Sequence, residues 1–143
     1  EYDVYQTKSQ AEYIKEIVNT GSLTKAQAAQ KAQAQHKELL PNGLQTPDNY
    51  FDTILENSQP IGIIWFAKYQ ENPKMAFIYD IYIKSKFQNN GFGSKTLKLV
   101  FQEAKKLGFQ QIGLHVFAQN KRARHVYEKL GFEPTDITMT REL

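Results

Sequence analysis

The sequence has no cysteine, one tryptophan and two methionines. Without a thiol there is no disulfide framework, no cysteine nucleophile and no thiolate metal site. The absence fits a reducing compartment, and a cytoplasmic location is expected. No apolar run approaches the roughly 20 residues that cross a bilayer, so no membrane partner is expected. No signal-peptide pattern opens the chain. Surplus charge is scarce as well: 18 Lys and Arg against 15 Asp and Glu leave a formal charge of +3. So small a surplus favours anionic ligands only weakly and does not by itself make a nucleic-acid protein. Aromatic residues, by contrast, are plentiful at 13%, which argues against disorder. The 143 residues suffice for one core, and 1–143 is expected to form a single domain.

Tyr13, Ile14, Ile17 and Val18 have helical spacing, and Thr20-Gly21 ends that segment. Ser22-Leu23-Thr24 opens a second helix that runs to about Leu40, with Pro41-Asn42-Gly43 as its stop. Tyr50 to Leu55, Ile61 to Tyr69 and Met75 to Ile83 are rich in aromatic and β-branched residues and are separated by turn chemistry, which predicts three antiparallel strands. Gly91 to Leu107 is an amphipathic helix with Leu97, Val100, Phe101 and Ala104 on one face and Gly108 after it. A strand over Ile112 to Ala118, a short helix over Lys121 to Leu130 and one or two strands in Phe132 to Leu143 complete the pattern. A meander followed by strand–helix–strand makes this α+β, with a mixed sheet and helices packed on it. Because Glu1 is not a methionine and helical spacing starts early, a short leading strand is expected to precede it.

The stretch after Ile83 carries the most information. A strand enters the loop Gln88-Asn89-Asn90-Gly91-Phe92-Gly93-Ser94, and the loop enters a long helix. Glycine at 91 and 93 lets the backbone turn and approach a ligand closely. Amides at a helix N-terminus are unpaired donors at the positive end of the macrodipole, an arrangement that suits a pyrophosphate. Lys84, Lys86 and Lys95 add positive charge nearby. A plain turn that happens to start a helix is the competing reading of a short glycine motif. The stretch is neither a Rossmann fingerprint, since Thr96 stands where a third glycine belongs, nor a P-loop.

Gln88-Asn89-Asn90-Gly91-Phe92-Gly93 resembles the Q/R-x-x-G-x-G pattern of the GNAT acetyltransferases, five residues past the apolar end of a strand. Leu114-His115-Val116-Phe117-Ala118-Gln119-Asn120, then Ala123, then Tyr127-Glu128-Lys129-Leu130-Gly131-Phe132 is similar to that family's second half. The resemblance covers Ile61 to the C-terminus well and the first sixty residues more loosely. Leu40 to Pro47 looks like the same segment in a group of small bacterial GNAT proteins. The resemblance implies a mostly antiparallel sheet with helices on both faces and a V-shaped splay between its fourth and fifth strands, here Met75–Ile83 and Ile112–Ala118.

It also implies an N-acetyltransferase that binds acetyl-CoA and acetylates a primary amine on a small molecule or peptide. Main-chain groups of Ile81, Tyr82 and Ile83 would hold the pantetheine arm like an added strand, and a backbone amide there would hold the thioester oxygen. Gln88 to Ser94 would hold the pyrophosphate. Asn120 and Ala123 would contact the pantetheine arm, though Asn120 is equally a good N-cap for the helix from Lys121. Tyr127, seven residues on, would protonate the leaving thiolate; its competing reading is a core aromatic beside Val126 and Leu130. Asp80 is the leading candidate base, because a carboxylate inside an apolar strand is shielded from water. A structural Asp there is as good a reading, and His115 and water are the other candidates. Direct attack by the amine in a ternary complex follows from the lack of any thiol to carry the acetyl group.

Acceptor choice is expected from the N-terminal helices and the loop through Tyr50, where Asp48, Asp52, Tyr50 and Phe51 face a cationic amine or serve as ordinary turn chemistry. A non-catalytic acyl-CoA sensor is the alternative function. A nucleic-acid module built on Lys121, Arg122 and Arg124 ranks last, since one helix face is too narrow a stripe, so no nucleic-acid partner is expected. No His/Asp/Glu spacing resembles a metal site, and no metal is expected. Members of the family are often dimers, so a homodimer is an open possibility with no marked interface.

Overall fold

A computed structural model describes residues 24–143. The helical spacing at Tyr13 to Val18 and any leading strand lie outside the described residues. The element order is α1 (Lys25–Leu39), β1 (Asn49–Glu56), β2 (Gln59–Tyr69), β3 (Asn72–Ile83), α2 (Phe92–Lys106), β4 (Gln111–Leu114) and α3 (Lys121–Lys129). Single 3₁₀ turns stand at Gly43–Gln45 and Ser85–Phe87. The fold is α+β, as expected, and the described residues form one four-stranded sheet in the order β1-β2-β3-β4. β1, β2 and β3 form an antiparallel meander, and β4 joins β3 in parallel.

Alternation along the strands sorts the side chains onto two faces. Ile64, Phe66, Ala76 and Ile78 pack with Leu97, Val100 and Ala104 of α2, and Tyr127 and Leu130 of α3 join the edge of this cluster. On the opposite face, rings stack in a continuous run of Phe51 on Trp65, Trp65 on Tyr79, Tyr79 beside Phe77 and Phe77 on Tyr69. The Trp65 indole N–H donates to Asn49 Oδ1 at 2.8 Å, so its polar edge is satisfied where it is buried. Near its end α1 lies on this second side, where Glu38 lines a cleft together with Tyr69 of the ring run. It begins at a capping box between Thr24 and Gln27 and buries only Ala28 and Ala32, small residues that permit close approach. Helices therefore cover both faces.

An irregularity in β3 sets which of its side chains face the site. Trp65 is paired with Asp80, and the next residue of β2, Phe66, with Ile78. Tyr79 is thus an extra residue, a β-bulge. Its consequence shows in the core: Ile78 and Ile81, three apart, both pack toward α2. Asp80 and Tyr82 are thrown to the aromatic face. Bulges bend and twist the strand that carries them. The parallel ladder of β3 with β4 covers only Met75–Ile78 against Gln111–Leu114, ending where the bulge begins.

Two expectations need correction. The strand expected over Ile112 to Ala118 ends at Leu114. The tail from Phe132 to Leu143 forms no strand. Pro134 has no N–H for a ladder, and Ile137, Met139 and Leu143 are exposed, so strand pairing there would bury little apolar surface.

Gly62 faces Ile83 across β2 and β3, and a methyl group on it would land on the Tyr82 carbonyl oxygen. Backbone cannot yield as a flexible side chain can. Gly62→Ala is expected to lower stability by about 1–3 kcal/mol, read as the shift of a denaturant midpoint at constant slope. An unchanged midpoint would show that the two strands part freely at this point.

Candidate active site

The loop between β3 and α2 is built by its own polar side chains. The Gln88 amide nitrogen donates to the Ile83 carbonyl at 2.8 Å, tying the loop back to the end of the strand. Asn90 donates to the carbonyls of Phe87 and Gln88 at 3.3 and 3.1 Å. Asn89 and Gly91 take the left-handed conformation, with φ of 65° and 78°. Gly91 is the N-cap of α2 and offers no side chain to the first turn, which also holds no acidic residue. The first intrahelical bond is Lys95 N–H to the Gly91 carbonyl, so the amides of Phe92, Gly93 and Ser94 precede the ladder.

Gly91 and Gly93 are glycine for different reasons. At Gly91 the backbone demands it. At Gly93 the backbone is ordinary, and a Cβ built there would meet nothing within 4 Å. The missing side chain serves no contact inside the protein, and it stands in a first helical turn that no side chain caps. Lys95 lies over the Phe92 ring and Lys86 over the Phe87 ring, 5.6 and 5.1 Å from the centroids, which sets two cations around the loop.

The main chain entering this loop has a defined sense. The Lys84 N–H donates to the Ile61 carbonyl on β2. By alternation Tyr82 and Asp80 also turn their main chain to β2, while Ile81 and Ile83 turn theirs the other way. That way lies the opening past the last pair of β3 and β4. Of the three strand residues singled out in the sequence, Ile81 and Ile83 therefore turn main-chain groups toward the opening, the Ile83 carbonyl also accepting from Gln88, while the Tyr82 main chain turns to β2.

α3 brings two more predicted residues to the helical side of the opening. Asn120 Oδ1 accepts from the Ala123 N–H at 3.3 Å, so the capping reading of Asn120 holds and its Nδ2 remains available. The turn ending α3 is organised around Tyr127. Gly131, at φ 96°, donates to the Glu128 carbonyl, and Phe132 N–H donates to the Tyr127 carbonyl at 3.0 Å. These two bonds make a Schellman motif, and the Phe132 ring meets the Tyr127 ring edge-on at 5.8 Å. The spacing of Tyr127, Gly131 and Phe132 thus fixes the tyrosine backbone and one side of its ring. Tyr127 also packs against the core beside α2, so it serves as a core aromatic whatever else it does.

Asp80 and His115 stand on the other side. Asp80 shares the aromatic face with Trp65 and Tyr79 because of the bulge. His115 follows Leu114, the last paired residue of β4, and alternation sets it on the same face. His115 is an exposed residue, but partial desolvation of its ring, and next the charge of Lys31, push its imidazole below the usual histidine range. Its ring meets Phe117 edge-on at 4.7 Å.

The acceptor-side expectations divide. Asp48 is taken by Lys68 at 3.0 Å. Tyr50 stacks on Phe66 on the α2 side, and Asp52, two residues on, shares that side. Only Phe51 reaches the aromatic face. A shallow cleft of about 250 Å3, lined by Glu38, Asp48, Tyr69 and Pro73 among others, opens at the far end of β2 and β3 from the loop and holds none of the predicted catalytic or cofactor residues. Among the described residues no group of three His, Asp or Glu could hold a metal ion, and no helix is long and apolar enough to cross a membrane. Arg124 is spent on Glu128 at 2.8 Å, which thins the basic face of α3.

Residues 14–132 match the model of the Acetyltransferase (GNAT) family. The chain belongs to that family. This GNAT protein is 32% identical to YycN, an uncharacterized N-acetyltransferase of Bacillus subtilis, over the whole chain and 93% of the relative. The crystal structure of YycN superposes with a TM-score of 0.90 at 31% identity, covering 99% of this chain and 92% of that one. A [ribosomal protein bS18]-alanine N-acetyltransferase of Haemophilus influenzae is 41% identical over 85 residues, 59% of this chain and 55% of that protein. The fold is also that of the aminoglycoside N-acetyltransferase AAC(6')-Iy, solved in complex with CoA, at a TM-score of 0.59 and 16% identity over 78% of this chain and 90% of that one.

The bulge at Tyr79 was missed in the sequence, and so was the need for glycine at 62. An apolar pair three apart inside a strand, Ile78 and Ile81, is the one signal of the bulge. Nothing local announces Gly62.

Proposed function

We propose that this GNAT protein takes the acetyl group from acetyl-CoA and passes it to a primary amine by direct attack in a ternary complex. The observation that carries the reading is Gly93, a glycine with ordinary backbone and open space above it, set among uncapped amides. An internal turn has no use for it; a bound pyrophosphate does.

The residues fit acetyl-CoA along its length. The amides of Phe92, Gly93 and Ser94 receive the pyrophosphate, with Gln88, Asn89, Asn90 and Gly91 shaping the loop and the lysines supplying charge. Ile81 and Ile83 offer main-chain groups to the pantetheine amides in the manner of an added strand. The same edge supplies a donor for the thioester oxygen, where negative charge grows during attack; such donors commonly contribute about 3 kcal/mol. Asn120 contributes its uncommitted Nδ2, held in place because its Oδ1 caps the helix at Ala123. Tyr127 donates its phenolic proton to the leaving sulfur. Acetyl-CoA supplies an activated acyl group, and the protein's part is to hold it, orient it and manage protons.

The test is release of free thiol from acetyl-CoA in the presence of amines: thialysine, a peptide with N-terminal alanine, spermidine and an aminoglycoside. Amine-dependent thiol release is the expected result. Binding of acetyl-CoA without release for any of them would favour a sensor over an enzyme.

A further inference from the structure

We propose that His115 is the group that takes the proton from the acceptor ammonium, in place of Asp80. The assignment rests on the N-acetyltransferase reading above. Three features of the fold support it. His115 is the first residue of the chain past the last pair of β4 with β3, so it stands at the rim of the opening. Ile112 and Leu114 pack toward α2, which sets His115 on the opposite, aromatic face, while Tyr127 packs on the α2 side. A donor to sulfur on one side and an acceptor from nitrogen on the other is what displacement at a thioester lying in the opening requires. Finally, neither ring nitrogen of His115 has a hydrogen-bond partner within the described residues; its neighbours are the Phe117 ring and the charge of Lys31.

Among the described residues the charged group that acts on this imidazole is Lys31 from α1; Tyr79 and Asp80 follow Ile78, the last residue of β3 paired with β4, and lie on the aromatic face. Partial desolvation of the ring, and next the charge of Lys31, disfavour the protonated form, which favours the neutral imidazole that accepts a proton. The proton balance is simple. An ammonium has three protons and the product amide nitrogen keeps one. His115 removes the first and frees the lone pair. Nitrogen then bonds to the acyl carbon, the carbon–sulfur bond breaks, and Tyr127 protonates the sulfur. The second nitrogen proton leaves to water, water reprotonates the tyrosine, and His115 releases its proton to solvent.

The experiment is a pH–rate profile of thiol release from acetyl-CoA, with whichever of thialysine, the alanine-leading peptide and spermidine the wild type turns over fastest. Wild type is expected to lose kcat/KM as pH falls, with a midpoint below 6.5, because a protonated imidazole accepts nothing. His115→Gln is expected to fall by roughly 100-fold at pH 7 and to lose that acidic limb, with stabilisation by acetyl-CoA retained. Added imidazole should restore part of the rate in His115→Ala, a rescue that a purely structural histidine would not give. Asp80→Asn should keep the limb, whatever it does to the overall rate. A limb that survives in His115→Gln, or that disappears in Asp80→Asn, overturns the assignment and leaves the enzyme reading intact. No turnover of any of the three amines, with acetyl-CoA still stabilising the protein, removes the enzyme reading and the role of His115 with it.

Discussion

Gly93→Ala is expected to leave the folded protein at least as stable as the parent and to cripple its binding of acetyl-CoA. The two halves of this result have separate causes. In the first turn of a helix with ordinary backbone and nothing within 4 Å, an added methyl costs nothing and stiffens the unfolded chain, a gain of about 0.4–1 kcal/mol. The same methyl stands over the amides of Phe92 to Ser94 and holds a pyrophosphate off them. Loss of one charge-assisted hydrogen bond costs about 1.5–3 kcal/mol, or roughly 10- to 100-fold in affinity. Gly91→Ala is the control, because its φ of 78° makes alanine unfavourable by about 1–2 kcal/mol with or without ligand. Calorimetric titration of both variants with acetyl-CoA, beside their melting curves, separates the effects. Unchanged affinity in Gly93→Ala would return the loop to the status of an ordinary helix start.

Tyr127→Phe is expected to lower kcat by at least about 100-fold while keeping acetyl-CoA affinity close to that of the parent. Two of the contacts that hold this residue do not use its hydroxyl. The Schellman turn at Gly131 uses the Tyr127 carbonyl, not its side chain, and the edge contact with Phe132 needs only a ring. What phenylalanine lacks is the hydroxyl, and with it the proton proposed for sulfur. Since Tyr127 packs into the core in either case, burial alone cannot distinguish the two roles, and a kinetic measurement must. A variant that turns over at the parental rate would reduce Tyr127 to packing.

Much of this arrangement is legible in the sequence because it is local. Helix α2 announces itself by Leu97, Val100 and Ala104 on one face and by Gly108, whose φ of 94° completes a Schellman turn with Phe109. The strands of the meander follow from aromatic and β-branched runs between turn residues, and their bounds hold to within a few residues. The loop at Gln88–Ser94 is legible for the same reason: glycine placement and a helix start are properties of a dozen neighbouring residues.

What depends on pairing between distant segments is not legible. The tail has the composition of a strand, yet pairing needs a partner edge and apolar surface to bury, and Ile137 and Met139 remain exposed. The shift of Asp80 onto the aromatic face is invisible without the β2 register, because strict alternation would place it with the core. Asp48 looks like an acceptor-side carboxylate until Lys68 arrives from the neighbouring strand.

Thermal unfolding with acetyl-CoA, CoA and NAD in parallel tests the central claim most directly. At a hundredfold excess over its dissociation constant, a ligand of the native state adds about 2.7 kcal/mol, enough to move a midpoint by several degrees in a domain of this size. The expected result is a rise with acetyl-CoA and with CoA and none with NAD. No rise with either CoA species at millimolar concentration would contradict the cradle at Gly91–Ser94, and the catalytic roles built on it would fall with it.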